Sequence, residues 1–203
     1  MKSTLHYSIM ISVLLPVLFL GGCGRGGKED SPGITASASI TPSYNGASTY
    51  SVDSVRNSCS NGSTTQLEYF ADHGATVSFS ASLINPSNLI KQMTVFIDSY
   101  TITYNSHDDS SGAPSLQPDT RQMTFSFIVN GATPTASASV AIAFVDLIRK
   151  ERYYSVAGGG LSNYTATYTF SGHTEHGDQF TITSQTDFQI GGFNYCPSGF
   201  NPI

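Results

Sequence analysis

Three places in this chain gather the residue types that do chemistry. His173, Glu175 and His176 fall within four residues, between Gly172 and Gly177, and imidazole with carboxylate is a donor set that zinc draws on. In a strand-like turn His173 and His176 point to opposite faces, whereas a tight turn brings them together. The spacing matches no zinc motif, and a solvated polar tip is the plainer reading. His107, Asp108 and Asp109 form a second group, in a stretch rich in Ser, Asp, Gly and Pro. Clustered carboxylates suit a hard cation, but no EF-hand or repeat-type calcium pattern surrounds them, which favours a solvated loop. Asp72-His73 is an adjacent acid and base ahead of an apolar run, read as turn chemistry. A convergent triad with one of the many serines stays open. No serine sits in a G-x-S-x-G elbow, and S-x-x-K, H-E-x-x-H and P-loop patterns are missing. The expectation is no enzyme, no cofactor and no metal site, with His173, Glu175 and His176 as the weak metal candidates.

The elements that must position these residues read as strands, because apolar residues recur at every second position and successive strand side chains point to opposite faces. Val77, Phe79, Ala81 and Leu83 make one such face, closed by a turn at Asn85-Pro86-Ser87-Asn88. Met93, Val95 and Ile97 begin another, and then the phase slips: Tyr100, Ile102 and Tyr104 have the opposite parity. A bulge or break near Asp98 and Ser99 follows, giving either one kinked strand or two short ones. A loop runs from Asn105 to Asp119. Met123, Phe125, Phe127 and Val129 precede Asn130-Gly131, and Ala138, Val140, Ile142 and Phe144 alternate beyond it. The clearest unit is a hairpin with Tyr164, Ala166, Tyr168 and Phe170 on one arm and Phe180, Ile182, Phe188 and Ile190 on the other, joined through a turn at Ser171 to Asp178. Residues Asp146 to Tyr154 alone have helix-friendly composition, though a strand continuation fits equally.

Only 11% of the residues are charged, and Ser, Thr, Gly, Asn, Tyr and Phe stand where a helical enzyme would carry Glu, Lys and Ala. That composition is typical of a β-rich exported domain. The nine basic and 14 acidic residues leave a net charge of −5, and no basic patch offers itself to nucleic acid.

Lys2 precedes an apolar run from Ile9 to Leu20 that ends in small residues, the layout of a secretory signal. About 12 apolar residues interrupted by Pro16 fall short of the ~20 that a spanning helix needs. Leu20-Gly21-Gly22-Cys23 resembles the lipobox of bacterial lipoproteins. The resemblance implies cleavage before Cys23, a diacylglycerol thioether on its sulfur and acylation of the new amino group. Several acyl chains together make a permanent membrane anchor. Gly24, where an Asp would signal retention at the inner membrane, resembles the pattern sent to the outer membrane. Ordinary secretory cleavage, with Cys23 a free thiol, would want an Ala-x-Ala site that is absent.

Removing the leader leaves roughly 180 residues, enough for one domain. Residues 1–22 are expected as the signal, 23–48 as the lipidated cysteine and a flexible linker reaching on the order of 25 Å, and 49–203 as the folded domain. With Cys23 acylated, Cys59 and Cys196 are the remaining cysteines, and an oxidising compartment favours their pairing. Closing a loop of about 138 residues stabilises by roughly 5 kcal/mol at most. Counting from Tyr50 to Val55, the chain is expected to be all-β: a single immunoglobulin-like antiparallel sandwich of about seven strands. Its resemblance to bacterial immunoglobulin-like modules covers residues 50 to 192, on strand count and hairpin style. Tyr100 with Tyr104 and Tyr153 with Tyr154 are candidates for an outward aromatic surface, against a default of core packing.

The sequence thus predicts a lipid-anchored cell-envelope protein that works by contact, as a structural, accessory or binding module, its partner an envelope protein or surface ligand and its membrane the outer rather than the inner. A carbohydrate-binding module or sandwich hydrolase, and a metal-binding envelope protein, are the alternatives.

Overall fold

Strict alternation of large apolar with Ser and Thr leaves each strand one face to bury, and two such sheets bury theirs against each other. The computed structural model of the protein describes residues 33–84, 92–107, 113–130 and 136–203. In chain order the elements are β1 (Ile34–Tyr44), β2 (Ala47–Ser48), β3 (Ser51–Asp53), β4 (Ser58–Ser60), β5 (Thr65–Leu67), β6 (His73–Leu83), β7 (Gln92–Ser106), β8 (Asp119–Asn130), β9 (Ala136–Val145), α1 (Leu147–Ala157), β10 (Ser162–Thr174), β11 (Gln179–Gly191) and β12 (Asn201–Pro202). One sheet has the order β2-β1-β6-β9, the facing sheet β3-β11-β10-β7-β8, and a small third sheet β12-β4-β5. All pairs are antiparallel except the short β3–β11 pair. This is an immunoglobulin-like β-sandwich, as the alternation predicts.

Phe79 of β6, Phe127 of β8 and Phe170 of β10 meet between the sheets, with Tyr100 and Tyr168 beside them, all buried. Of the four tyrosines considered for an outward surface, Tyr100, Tyr104 and Tyr153 follow the default and are buried, and Tyr154 alone is exposed. Core packing wins because the tyrosine hydroxyls find partners inside. Tyr168 donates to the Ala143 carbonyl at 2.8 Å, Tyr104 to the Phe144 carbonyl, and Tyr153 to the Gly160 carbonyl at 2.7 Å.

The phase slip resolves as one kinked strand. β7 runs through Asp98, and its register against β8 shifts between Ile97 and Ser99. The extra residue lets Met93, Val95 and Ile97 face the core before it and Tyr100, Ile102 and Tyr104 after it. β10 accommodates the kink at Gly172, where a Cβ would lie 2.1 Å from the Phe96 carbonyl oxygen.

One boundary is corrected and one open segment is resolved. The expected linker contains β1, which pairs with β6 from Ile34↔Leu83 to Ser43↔Gly74; the sandwich begins before residue 49. Its Ala, Ser and Thr resemble a tether in composition, but Ala36, Ala38, Ile40 and Tyr44 alternate, and small inward residues suit a face opposed by large rings. The ambiguous segment after β9 is a helix. Asp146 caps it, its carboxylate accepting from the Arg149 N–H at 3.0 Å, and Gly158 ends it with φ +59°. Residues 1–22, Cys23, the 85–88 turn, Asp108, Asp109 and Gly131 lie outside the described residues.

The strands define two poles. At one, β1 starts next to Met93, and the β10–β11 turn closes. At the other, about 35 Å away along the eleven residues of β1, lie Tyr44, the start of β6, α1 and the small sheet.

Candidate functional site

Among the described residues His173, Glu175 and His176 do not converge on one point, and of the second group only His107 is described. His173 Nδ1 lies 2.8 Å from Asp98 Oδ2, its ring stacked 4.9 Å from Phe96. Glu175 is consumed by β7: its carboxylate accepts from the Thr94 N–H at 3.0 Å, which lowers its pKa, and its own N–H donates to the Thr94 carbonyl. His176 sits 3.8 Å from Glu175 Oε1. His107 is hydrogen-bonded to Thr165 and lies 3.8 Å from Asp187 on the outer face of the sheet. Among the described residues, the ligand atoms that do converge are those of Cys59, Glu68 and Cys196. Both sulfurs there are committed to a disulfide, with the Cα atoms 5.6 Å apart, as the sequence predicts.

The α1 pole holds what the sequence did not disclose. Tyr44, at the end of β1, enters the turn Asn45-Gly46, whose φ angles of +48° and +79° are the signs a type I′ hairpin requires. That turn brings Asn45, Ala47 and Thr49 to one wall of a cleft of about 180 Å³, with Tyr44, Tyr69 and Tyr195 on the others. Tyr69 and Tyr195 lie 5.5 and 5.0 Å from Tyr44, ring to ring, inclined by 46° and 57°, so the three rings form a concave wall and not a flat platform. Their positions are fixed from behind. The Tyr44 hydroxyl donates to the Tyr69 carbonyl at 2.6 Å and accepts from the Ala71 N–H, and the Tyr195 hydroxyl donates to the Ser51 carbonyl at 2.6 Å.

Beneath the cleft lie four ionisable groups almost without water contact: Asp53, Glu68, His73 and Lys150. Glu68 accepts from the Asn57 N–H at 2.8 Å, the Asn57 side-chain amide at 3.0 Å and the Tyr195 N–H at 3.3 Å. Asp53 Oδ1 accepts from the Phe193 and Val55 N–H groups, while Oδ2 receives no donor. Burial, and then the hydrogen bond with Glu68, push the Asp53 pKa up to about 7. A proton kept on Oδ2 and given to the Glu68 carboxylate accounts for both facts, since two adjacent carboxylates in a dry site cannot both ionise cheaply. Lys150 donates to the Ala71 carbonyl at 2.7 Å, with its ammonium 4.6 Å from the Tyr44 ring centre and 4.9 Å from that of Phe70. Burial lowers its pKa to about 8, against the pull of Asp53, Asp72 and Glu68.

His73 stacks on Tyr44 at 4.6 Å, nearly parallel. Neither ring nitrogen makes a hydrogen bond of ordinary geometry. Burial, then the Lys150 charge, lower its pKa to about 4, which the backbone of Thr49 only partly offsets. Its neighbour Asp72 accepts from the Leu147 N–H at 2.7 Å and so holds the first turn of α1. Asp72 and His73, read from the sequence as turn chemistry, thus face different partners, Asp72 capping the start of α1 and His73 packing on Tyr44.

Sequence reasoning missed Asp53, Glu68, Lys150 and the three cleft tyrosines. Two signals were present. Asn45-Gly46 marks a hairpin, and the spacing of Lys150, Tyr153 and Ala157 places a lysine on the inward face of α1.

No family model and no curated protein matches the sequence. Among solved structures, the chain is similar to the ASH/PapD-like domain 7 of human CEP192, at 9% identity over 88% of this chain and 99% of that one, with a TM-score of 0.28. It is also similar to AggA, the major subunit of aggregative adherence fimbriae type I from Escherichia coli, at 8% identity over 78% and 96%, with a TM-score of 0.20. Likeness at this level carries no argument about function.

Proposed function

We propose that this protein is a lipid-anchored envelope protein whose sandwich works by contact and presents the α1 pole, with its tyrosine cleft, to a partner. The observation that carries the reading joins the sequence to the fold. Cys23, in the lipobox-like Leu20-Gly21-Gly22-Cys23, lies eleven positions before Ile34, where β1 begins at the pole opposite the cleft. Even a fully extended stretch of that length covers no more than about 40 Å, so an anchor at Cys23 attaches through the pole opposite the cleft and leaves the cleft free to meet a partner. Gly24 after the cysteine favours the outer membrane.

A non-catalytic role is supported at the site itself. His73 is enclosed between Tyr44 and Phe144, and among the described residues no serine hydroxyl or carboxylate is hydrogen-bonded to its nitrogens. Growth with an alkynyl palmitate analogue tests the anchor: wild-type protein takes up label and stays in the membrane fraction after a high-salt wash, and Cys23→Ala does neither. An unlabelled, freely soluble wild type overturns the reading.

A further inference from the structure

We infer that the cleft between Tyr44, Tyr69 and Tyr195 binds a single neutral pyranose ring. The inference rests on the reading of the α1 pole as the contact surface and names the class of ligand. Its six lining residues carry three phenol rings, one side-chain amide, one aliphatic hydroxyl and no charge. The charged groups below turn inward: Glu68 spends its oxygens on Asn57 and Tyr195, and Lys150 its ammonium on Ala71 and two rings. A charged ligand would therefore lose its hydration without gaining a partner.

A pyranose suits the lining on three counts. Its C–H faces are weakly positive and meet the rings of Tyr69, which is exposed, and Tyr195, which is half-buried, over a floor closed by Tyr44, while its hydroxyls meet the amide of Asn45 and the hydroxyl of Thr49. The volume, about 180 Å³, equals that of roughly six liquid waters, which admits one ring and leaves the rest of a glycan outside. Rings inclined by 46° and 57° enclose an edge instead of supporting a flat chain. The hydrogen bonds that fix Tyr44 and Tyr195 from behind remove part of the ordering cost before any ligand arrives.

The test is saturation-transfer NMR on the detergent-solubilised full chain, with the methyl glycosides of glucose, galactose, mannose and N-acetylglucosamine and with p-cresol as probes. At least one glycoside is expected to receive saturation at its ring C–H protons. Tyr69→Ala, which removes an exposed ring without touching the backbone contacts, weakens that binding at least tenfold. Asn45→Gly keeps the positive φ and weakens it less, and Tyr154→Ala, on α1 outside the cleft, leaves it unchanged. No transfer to any glycoside, transfer unaffected by Tyr69→Ala, or transfer to p-cresol alone overturns the inference. Palmitate labelling of the same samples separates the two readings: labelled protein that binds no glycoside ends this inference alone, and unlabelled protein that binds one ends only the anchor.

Discussion

Two clusters of histidine and carboxylate sit at opposite poles of this sandwich. At the β10–β11 turn, His173 with Asp98 and His176 with Glu175 are exposed or half-exposed pairs on strand-end backbone, each satisfied by its neighbour or by water. At the α1 pole, Asp53, Glu68, His73 and Lys150 are sealed beneath three tyrosines. Similar side chains thus have opposite consequences. In water an ion pair contributes little, because solvent screens both charges. Under the cleft, desolvation moves a carboxyl, an imidazole and an ammonium each toward its neutral form. Closeness along the chain drew attention to the exposed cluster, while burial singles out the other.

The difference is tested first by removing what holds the buried cluster in place. Cys59→Ser with Cys196→Ser is expected to lose about 3–5 kcal/mol. Hydrogen exchange should show the loosening at β4, β5, β12 and Tyr195, with the β10–β11 turn still protected. Equal loosening at both poles would remove the distinction.

Glu68→Ala comes next, because it strands the Asn57 N–H, the Asn57 side-chain amide and the Tyr195 N–H. We expect a loss of about 3–4 kcal/mol in urea titration. Glu175→Ala at the other pole should leave the midpoint unmoved.

Asp53→Asn gives a smaller effect of opposite sign. With its pKa raised to about 7, Asp53 holds its proton in the fold to a higher pH than in the unfolded chain, which releases it near the ordinary value of 3.8. Between those values the folded state binds more protons, so this group's contribution to stability falls as pH rises. His73 acts the other way between about 4 and 6.5, since there the unfolded chain binds more protons. The difference between wild type and Asp53→Asn isolates the carboxyl. The variant, whose amide supplies the donor to Glu68 permanently, should match wild type near pH 5 and exceed it at pH 8 by on the order of 1–3 kcal/mol. A difference independent of pH would mean that Asp53 holds no proton there.

The smallest effect belongs to the exposed turn. His173→Ala should cost at most about 1 kcal/mol, and zinc added to wild type should not raise the melting temperature. A rise of several degrees would restore the metal reading of His173, Glu175 and His176.

Alternation made the sandwich legible. Val77 to Leu83, Met123 to Val129 and the Tyr164 to Ile190 hairpin bury the residues that their parity assigns to the core, and the parity change after Ile97 located the bulge. β1 escaped notice because alanine is a weak apolar signal. Its burial depends on Phe79 and its neighbours, which lie far along the chain. The cleft floor was less legible still. Asp53, Glu68, His73 and Lys150 come from four separate segments, and nothing in their local spacing announces a meeting. Tyr153 could be read as outward or inward until α1 was seen to lie across the end of both sheets.

By itself, the sequence determined what local chemistry determines: an apolar run shortly before Cys23, strands of period two, a hairpin turn and two cysteines suited to pairing. The tertiary structure alone decided which polar groups lost their water. Desolvation depends on everything packed around a group, and for Asp53, Glu68 and Lys150 that surrounding is assembled from β1, β6, α1 and the stapled third sheet. Its protonation states and the tyrosine cleft above it follow from that packing.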